Sequence, residues 1–85
     1  MRTVQAVCAE RAVRLRQGRC PLHGAIMLPN SGWHYPITEA PYFEVACPSE
    51  VCSVRAKAYS QRGPWQLLPQ WEYLLHDAIT GPLRR

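Results

Sequence analysis

Apolar side chains in the first part of the chain recur at steps of three and four residues. Between residues 3 and 17 they occupy one face of a helix, at Val4, Val7, Cys8, Ala12 and Leu15. Gly18 follows as a natural helix-ending residue, so the pattern predicts a helix over residues 1–18 that delivers the chain to Cys20. A strand through residues 12–16 is the alternative, but the alternation of apolar and polar residues there is poorer.

The middle of the chain changes from helical periodicity to alternation. Residues 25–29 and 33–37 are predicted as short strands separated by an Asn-Ser-Gly turn. Residues 42–47 alternate and carry aromatic and β-branched side chains, and residues 52–59 alternate more clearly still. We therefore predict a small antiparallel sheet within residues 19–60.

The last third of the chain reads differently again. Gly63-Pro64 predicts the end of the sheet, and Pro69 suits the first position of a helix. Residues 64–77 are predicted as a short C-terminal aromatic helix and residues 78–85 as a flexible tail. The whole pattern predicts an α+β protein of one domain, residues 1–85, with a small sheet between an N-terminal helix and a short C-terminal helix.

Two segments that begin with Cys-Pro carry the most specific chemical signal. Cys20 and His23 are separated by two residues and followed by a glycine, which suits a tight knuckle around one metal ion. Cys47 and Cys52 form the second pair, with four residues between them. Three thiolates and one imidazole are an accepted ligand set for structural zinc, so we predict one closed, non-catalytic Zn²⁺ site with these four ligands.

The two Cys-Pro segments resemble the knuckles of the zinc ribbon family, whose members carry such knuckles at the tips of β-hairpins. The resemblance covers residues 19–58. The segment Cys-Pro-Leu-His-Gly matches the family's Cys-Pro-x-Cys-Gly with His23 in place of one cysteine. The second segment, Cys-Pro-Ser-Glu-Val-Cys, has a wider gap, which leaves a treble clef open as an alternative. The resemblance implies a fold and a metal, and it implies no activity.

The cysteines have two other interpretations. The chain has 4 cysteines, which could form two disulfides. Cys8 could also replace His23 as the fourth ligand, although it equally suits a small buried apolar position on the first helix. The first 17 residues are interrupted by charge and contain neither an export signal nor a spanning segment, which favours a reducing cytoplasm, no membrane association and metal binding by the cysteines.

Basic residues are concentrated in two blocks, and the formal net charge is +4. Residues 1–19 and 55–63 hold these blocks, whereas residues 20–54 contain no lysine or arginine. A surface with cations and an aromatic ring can follow phosphates and stack a base. The predicted nucleic-acid or partner-binding residues are Arg11, Arg14, Arg16, Arg19, Arg55, Lys57, Tyr59 and Arg62. The alternative is that Glu44 on the neighbouring strand neutralises Arg55 or Lys57.

The C-terminal segment is more apolar than one short helix requires. Trp65, Trp71 and Tyr73 are predicted either to complete the core or to form a protein interface. His34 and His76 have no nucleophile or carboxylate at a recognisable spacing, and the chain contains no phosphate-binding loop. Together with a closed zinc site, this favours a protein that is not an enzyme.

The sequence thus predicts a non-enzymatic zinc-binding protein that acts by binding. The first hypothesis is a nucleic-acid-associated accessory or regulatory factor. The alternative is a protein–protein interaction module, either an adaptor or a small inhibitor of a larger nucleic-acid machine, of the kind that phages and mobile elements encode. Monomer and homodimer both remain open.

Overall fold

The N-terminal helix, α1, spans Val4–Arg16 in the computed structural model, which describes residues 3–77 of the chain. It begins at Thr3, whose side-chain hydroxyl accepts a hydrogen bond of 3.0 Å from the backbone N–H of Ala6. Arg14 and Arg16 lie in the last turn, where positive charge suits the helix dipole. The predicted helix is confirmed, and the strand alternative is wrong.

Gly18 ends α1 and turns the chain towards the metal-binding segments. Its φ of +76° lies in the left-handed region that favours glycine. The backbone N–H of Arg19 donates to the carbonyl of Arg14 at 2.8 Å, and that of Gly18 donates to Leu15 at 2.9 Å. These two bonds satisfy carbonyls that the end of the helix would otherwise leave unpaired.

Four strands form one antiparallel sheet in the order β1-β2-β3-β4. The strands are β1 (Leu28–Pro29), β2 (Phe43–Ala46), β3 (Arg55–Ala58) and β4 (Trp65–Leu67). A 3₁₀ helix, Pro69–Leu75, follows β4 and packs against α1 and β4. The α+β class is therefore confirmed.

The predicted span of the C-terminal helix, residues 64–77, is wrong for residues 64–68, whereas Pro69 is confirmed as the first residue of the helix. Gly63-Pro64 does not end the sheet; it lies in the turn between β3 and β4. Leu67 faces the core from β4 and is only 2% exposed. The edge of β3 thereby gains a partner strand, and the helix begins only at Pro69. The predicted tail, residues 78–85, lies outside the described residues.

The two strands predicted between residues 25 and 37 are mostly irregular. Of residues 25–29, only Leu28 and Pro29 form a strand. Residues 33–37 are not a strand, and a single bridge joins His34 to Tyr42. Pro36 lacks a backbone N–H, so this segment cannot continue the ladder.

The core lies between the sheet and α1 with the 3₁₀ helix. The side chains of Ala56 and Ala58 point into the core from β3, and that of Val54 does so from the position just before β3, as the alternation predicts. Leu74 reaches it from the 3₁₀ helix and is fully buried. Within residues 3–77, no helix is long and apolar enough to cross a bilayer.

Candidate metal centre

The first pair of candidate ligands lies in a narrow hairpin directly after α1. A bridge between Arg19 and Ile26 closes the hairpin. Within it, the backbone N–H of Gly24 donates to the carbonyl of Cys20 at 2.8 Å, and Gly24 has a φ of +75°. Pro21 is buried, and its ring fixes one backbone angle of the knuckle. This turn brings His23 back towards Cys20.

The second pair lies in the loop that joins β2 to β3. The backbone N–H of Cys47 donates to the carbonyl of Val54 at 3.3 Å, and that of Cys52 donates to Ser49 at 3.1 Å. The loop is therefore a closed turn at the end of a hairpin. Both pairs lie in hairpin turns, as the resemblance to zinc ribbons implies.

The two turns bring four ligand atoms together. These atoms, the Sγ of Cys20, Cys47 and Cys52 and a ring nitrogen of His23, all lie within 4.8 Å of one another. His23 Nδ1 is 3.8 Å from Cys20 Sγ and 3.7 Å from Cys47 Sγ, and the Sγ atoms of Cys20 and Cys52 are 3.8 Å apart. A tetrahedral zinc with ordinary bond lengths requires separations of about 3.6–3.8 Å. Three of the six separations match these values and none exceeds 4.8 Å, so the donor set is able to hold a tetrahedral metal ion.

The ligands differ in their exposure to solvent. Cys20 and Cys47 are buried, Cys52 is half-buried and His23 is exposed. Burial, together with the neighbouring Cys47 and Cys20 thiols, raises the pKa of the Cys52 thiol to about 12, although a hydrogen bond to the backbone at Val54 acts in the opposite direction. A positive ion between the sulfurs reverses this preference, because it stabilises the thiolates.

The other interpretations of the cysteines do not match the geometry. The 3.8 Å between the sulfurs of Cys20 and Cys52 is far beyond a disulfide bond of about 2.05 Å. All four cysteines are free thiols. Cys8 lies half-buried on α1 and does not belong to the ligand cluster, which includes His23 instead.

Two arginines support the first knuckle from outside. Arg14 donates from Nη1 to the carbonyl of Pro21 at 2.8 Å. Arg19 donates from Nη1 to the carbonyl of Gly24 at 3.0 Å. Sequence analysis assigned both side chains to a binding surface and did not predict these two hydrogen bonds to the knuckle. The two acceptor carbonyls lie seven and five residues after the arginines, and no local pattern in the sequence signals these contacts.

We expect Arg14→Met to destabilise the metal-bound protein by about 1 kcal/mol, because the substitution removes a charge-assisted hydrogen bond to the knuckle. The partial exposure of Arg14 to solvent keeps the contribution of that bond small. Chemical denaturation of the metal-loaded protein measures the loss. Arg16→Met is the matched control, since Arg16 is exposed and makes no such bond. Equal losses in the two variants would mean that the Pro21 contact contributes nothing.

The predicted binding face of β3 carries an acidic partner that sequence analysis did not identify. Lys57 Nζ lies 3.0 Å and 3.1 Å from the two carboxylate oxygens of Glu39, and the Tyr59 hydroxyl donates to Glu39 at 3.2 Å. The bond from Lys57 lowers the pKa of Glu39 and raises that of Lys57. Glu44 lies opposite Lys57 in the sheet, but the ion pair forms with Glu39 from the loop before β2.

The remaining predicted basic residues fall into two groups. Arg11 donates from Nη1 to the carbonyl of Leu74 at 3.0 Å and joins α1 to the 3₁₀ helix. Arg16, Arg55 and Arg62 are exposed, and their side chains make no hydrogen bond or ion pair within residues 3–77. The structure thus brings Arg11 and the knuckle arginines into internal contacts and leaves three arginines available at the surface.

The aromatic residues predicted for the core or an interface are all half-buried. Trp65, Trp71 and Tyr73 pack against the buried core cluster. Trp71 and Tyr73 also line a cleft beside His23 and Cys52, close to the ligand cluster. Whether any of them also contacts a partner stays a prediction.

His34 belongs to a small aromatic cluster on the outer side of the sheet. Its ring stacks on Tyr42 with centroids 5.0 Å apart, and its Nε2 lies 3.0 Å from Ser31 Oγ. Lys57 Nζ lies 4.8 Å from the centre of the Tyr42 ring. These contacts account for His34 as a packing residue, and His76 follows the 3₁₀ helix as its C-terminal cap.

No family model, curated protein or solved structure matches this chain. The resemblance to zinc ribbons therefore rests on the two Cys-Pro segments and their hairpin positions alone.

Proposed function

We propose that this protein folds around one structural zinc ion and acts by binding another macromolecule rather than by catalysis. The observation that carries the proposal is the approach of three sulfurs and one imidazole nitrogen to within 4.8 Å. Tetrahedral sites rich in sulfur favour zinc or iron–sulfur chemistry, and a mixed Cys₃His set is one that structural zinc uses. Four protein ligands complete the tetrahedron and leave no position for a substrate or a catalytic water.

Metal analysis of the purified protein tests the zinc assignment. We expect one zinc per chain, and we expect cobalt substituted at the site to show the visible absorption of a tetrahedral thiolate complex. Cys8→Ser should retain the full metal content, whereas Cys52→Ser should lose it. Stoichiometric iron, or retention of zinc after Cys52→Ser, would contradict the assignment.

The partner that the geometry favours is a protein. Three of the eight residues predicted for a nucleic-acid surface, Arg11, Arg14 and Arg19, bind backbone carbonyls of this chain. On β3, the positive charge of Lys57 is compensated by its ion pair with Glu39. Large apolar side chains are also exposed near that sheet, with Trp33 49% exposed and Tyr35 75% exposed. Such side chains are favoured anchors in protein interfaces.

Nucleic acid is the second candidate. It is favoured by the net charge of +4 and by the three surface arginines Arg16, Arg55 and Arg62. We expect mixed DNA and RNA to bind weakly or not at all to the zinc-loaded protein at low salt. Strong binding that weakens steeply as salt increases would instead establish nucleic acid as the partner, because phosphate contacts release counterions. Electrophoretic mobility shifts over a salt series measure this.

A further inference from the structure

Three adjoining concavities run along the side of the sheet that carries Trp65 and Phe43. The central groove has a volume of about 390 Å³, and its lining residues are mainly apolar. Its apolar lining consists of Gly18, Ile26, Met27, Pro29, Phe43, Val45 and Trp65. A cleft of about 220 Å³ extends it towards Trp33 and shares Phe43. Another cleft of about 410 Å³ adjoins its other end and shares Trp65.

The sheet register places these two rings on the same face of the sheet. Phe43 on β2 and Trp65 on β4 both lie opposite Ala58 on β3. The three side chains share one face of the sheet, and the backbones of Phe43 and Trp65 are separated by two strand spacings, about 9–10 Å. Ala58 itself is fully buried and does not line the groove, whose lining includes Phe43, Val45 and Trp65.

Trp65 is held in place by direct packing on two glycines. A side-chain carbon at Gly18 would lie 3.0 Å from the Trp65 ring, and one at Gly63 would lie 2.8 Å from it. Both distances are shorter than an ordinary carbon–carbon contact, so the ring lies directly against both backbones. The wall between the groove and the adjoining cleft is therefore formed before any partner arrives, which reduces the entropy lost on binding.

The charge along these concavities is uneven. Among residues 3–77, no aspartate or glutamate lines them. The charged lining residues of that part of the chain are Arg16 and Arg62, which lie together in the cleft beyond Trp65. The other lining residues are apolar except for Gln17, Gln61 and Ser31, and Ile26 at the groove is 58% exposed. The surface is thus complementary to an occupant that is apolar along most of its length and acidic at one end.

This distribution fits a peptide better than a nucleic-acid strand. A strand carries a negative charge at every nucleotide and needs cations along its whole track. We propose that the groove between Phe43 and Trp65 binds a peptide segment of a partner protein, with apolar side chains in the groove and acidic side chains at Arg16 and Arg62. This rests on the proposed function in taking the partner to be a protein.

Two displayed peptide libraries test the proposal on the full-length, zinc-loaded protein. Both contain random 12-residue peptides. In one library each peptide carries a fixed pair of glutamates at its N-terminus or its C-terminus, and in the other a fixed pair of lysines takes that place. We expect only the glutamate library to be enriched. The double variant Arg16→Glu/Arg62→Glu should reverse this preference and enrich the lysine library. It should also weaken the best synthetic glutamate peptide at least 10-fold in a fluorescence anisotropy titration.

Arg55→Glu is the matched control, because Arg55 is an exposed arginine on the opposite face of the sheet. It should leave the affinity for the selected peptide within about twofold of that of the unmodified protein. Amide chemical shifts should change at Gly18, Ile26 and Gln61 when the peptide binds. Circular dichroism and zinc content must match the unmodified protein in every variant, which separates loss of binding from loss of the fold.

Several results would overturn the proposal. Enrichment of neither library, equal affinity in the double variant, or shifts confined to the opposite face would show that the groove does not bind such peptides. Competition by single-stranded DNA at the same amides would assign the groove to nucleic acid. A dimer in light scattering that dissociates when peptide is added would assign it to a second copy of the chain. If the protein contains zinc and a native partner binds elsewhere, the proposed function survives and only the groove assignment fails.

Discussion

Replacing Cys47 by serine, or removing the metal with a strong chelator, should unfold the protein. Structural zinc in small domains contributes about 10–16 kcal/mol of apparent binding free energy that is coupled to folding. A domain typically has only about 5–15 kcal/mol of net stability. Cys20 and Cys47 belong to the buried core cluster itself. Loss of the metal therefore also removes the ion that connects these two thiols and their hairpin turns. We therefore expect no stable folded form without the metal.

Circular dichroism and thermal denaturation measure this effect before and after chelation. Re-addition of zinc should restore the original spectrum, because no covalent bond is broken. Cys8→Ser is the matched control, since Cys8 is a half-buried cysteine outside the ligand cluster, and it should retain a cooperative transition. If the chelated protein kept its spectrum and melting temperature, the metal would not be structural.

Leu74→Ala should cost about 2–5 kcal/mol of unfolding free energy, the range for removing a large buried side chain. Leu74 is fully buried and comes from the 3₁₀ helix that packs against α1. The substitution leaves its backbone carbonyl in place to accept the hydrogen bond from Arg11. The loss therefore reports packing and the cavity rather than that hydrogen bond.

Urea denaturation of the zinc-loaded protein measures the loss, and Leu28→Ala is its control. Leu28 is 52% exposed on the edge strand, so its truncation should cost less than about 1 kcal/mol. A loss at Leu74 no larger than that at Leu28 would mean that the 3₁₀ helix is not part of the cooperative core. Both variants should keep full zinc content, since neither residue is one of the four candidate ligands.

Local signals predicted the first helix and the third strand well. α1 has apolar residues at helical spacing, of which Leu15 is buried, and a glycine that ends it, and residues 55–58 alternate without interruption. The fourth strand was missed because Gly63-Pro64 is a turn signal that cannot tell the end of a sheet from a turn within it. Whether the residues after this turn form a strand depends on whether a sheet edge is free to pair with them, and no local sequence pattern indicates that.

The candidate metal site could be predicted from local sequence, whereas the contacts of the candidate binding surface could not. Four ligands at knuckle spacings can be read from the order of residues, because a tetrahedral ion imposes its own geometry on short loops. The partner of Lys57 could not be read in this way. Glu39 is 18 residues from Lys57 and lies in an irregular segment, so only the folded chain brings the two together.

The sequence by itself determined the α1 helix, the presence of a small sheet and the four residues able to hold a metal. Each follows from periodicity, turn residues or ligand spacing within a few positions. The tertiary structure decided which arginines bind the chain's own carbonyls, where the fourth strand pairs and how Trp65 and Phe43 come to face each other across Ala58. These depend on contacts between distant segments, whose free energies are set by packing and charge in three dimensions.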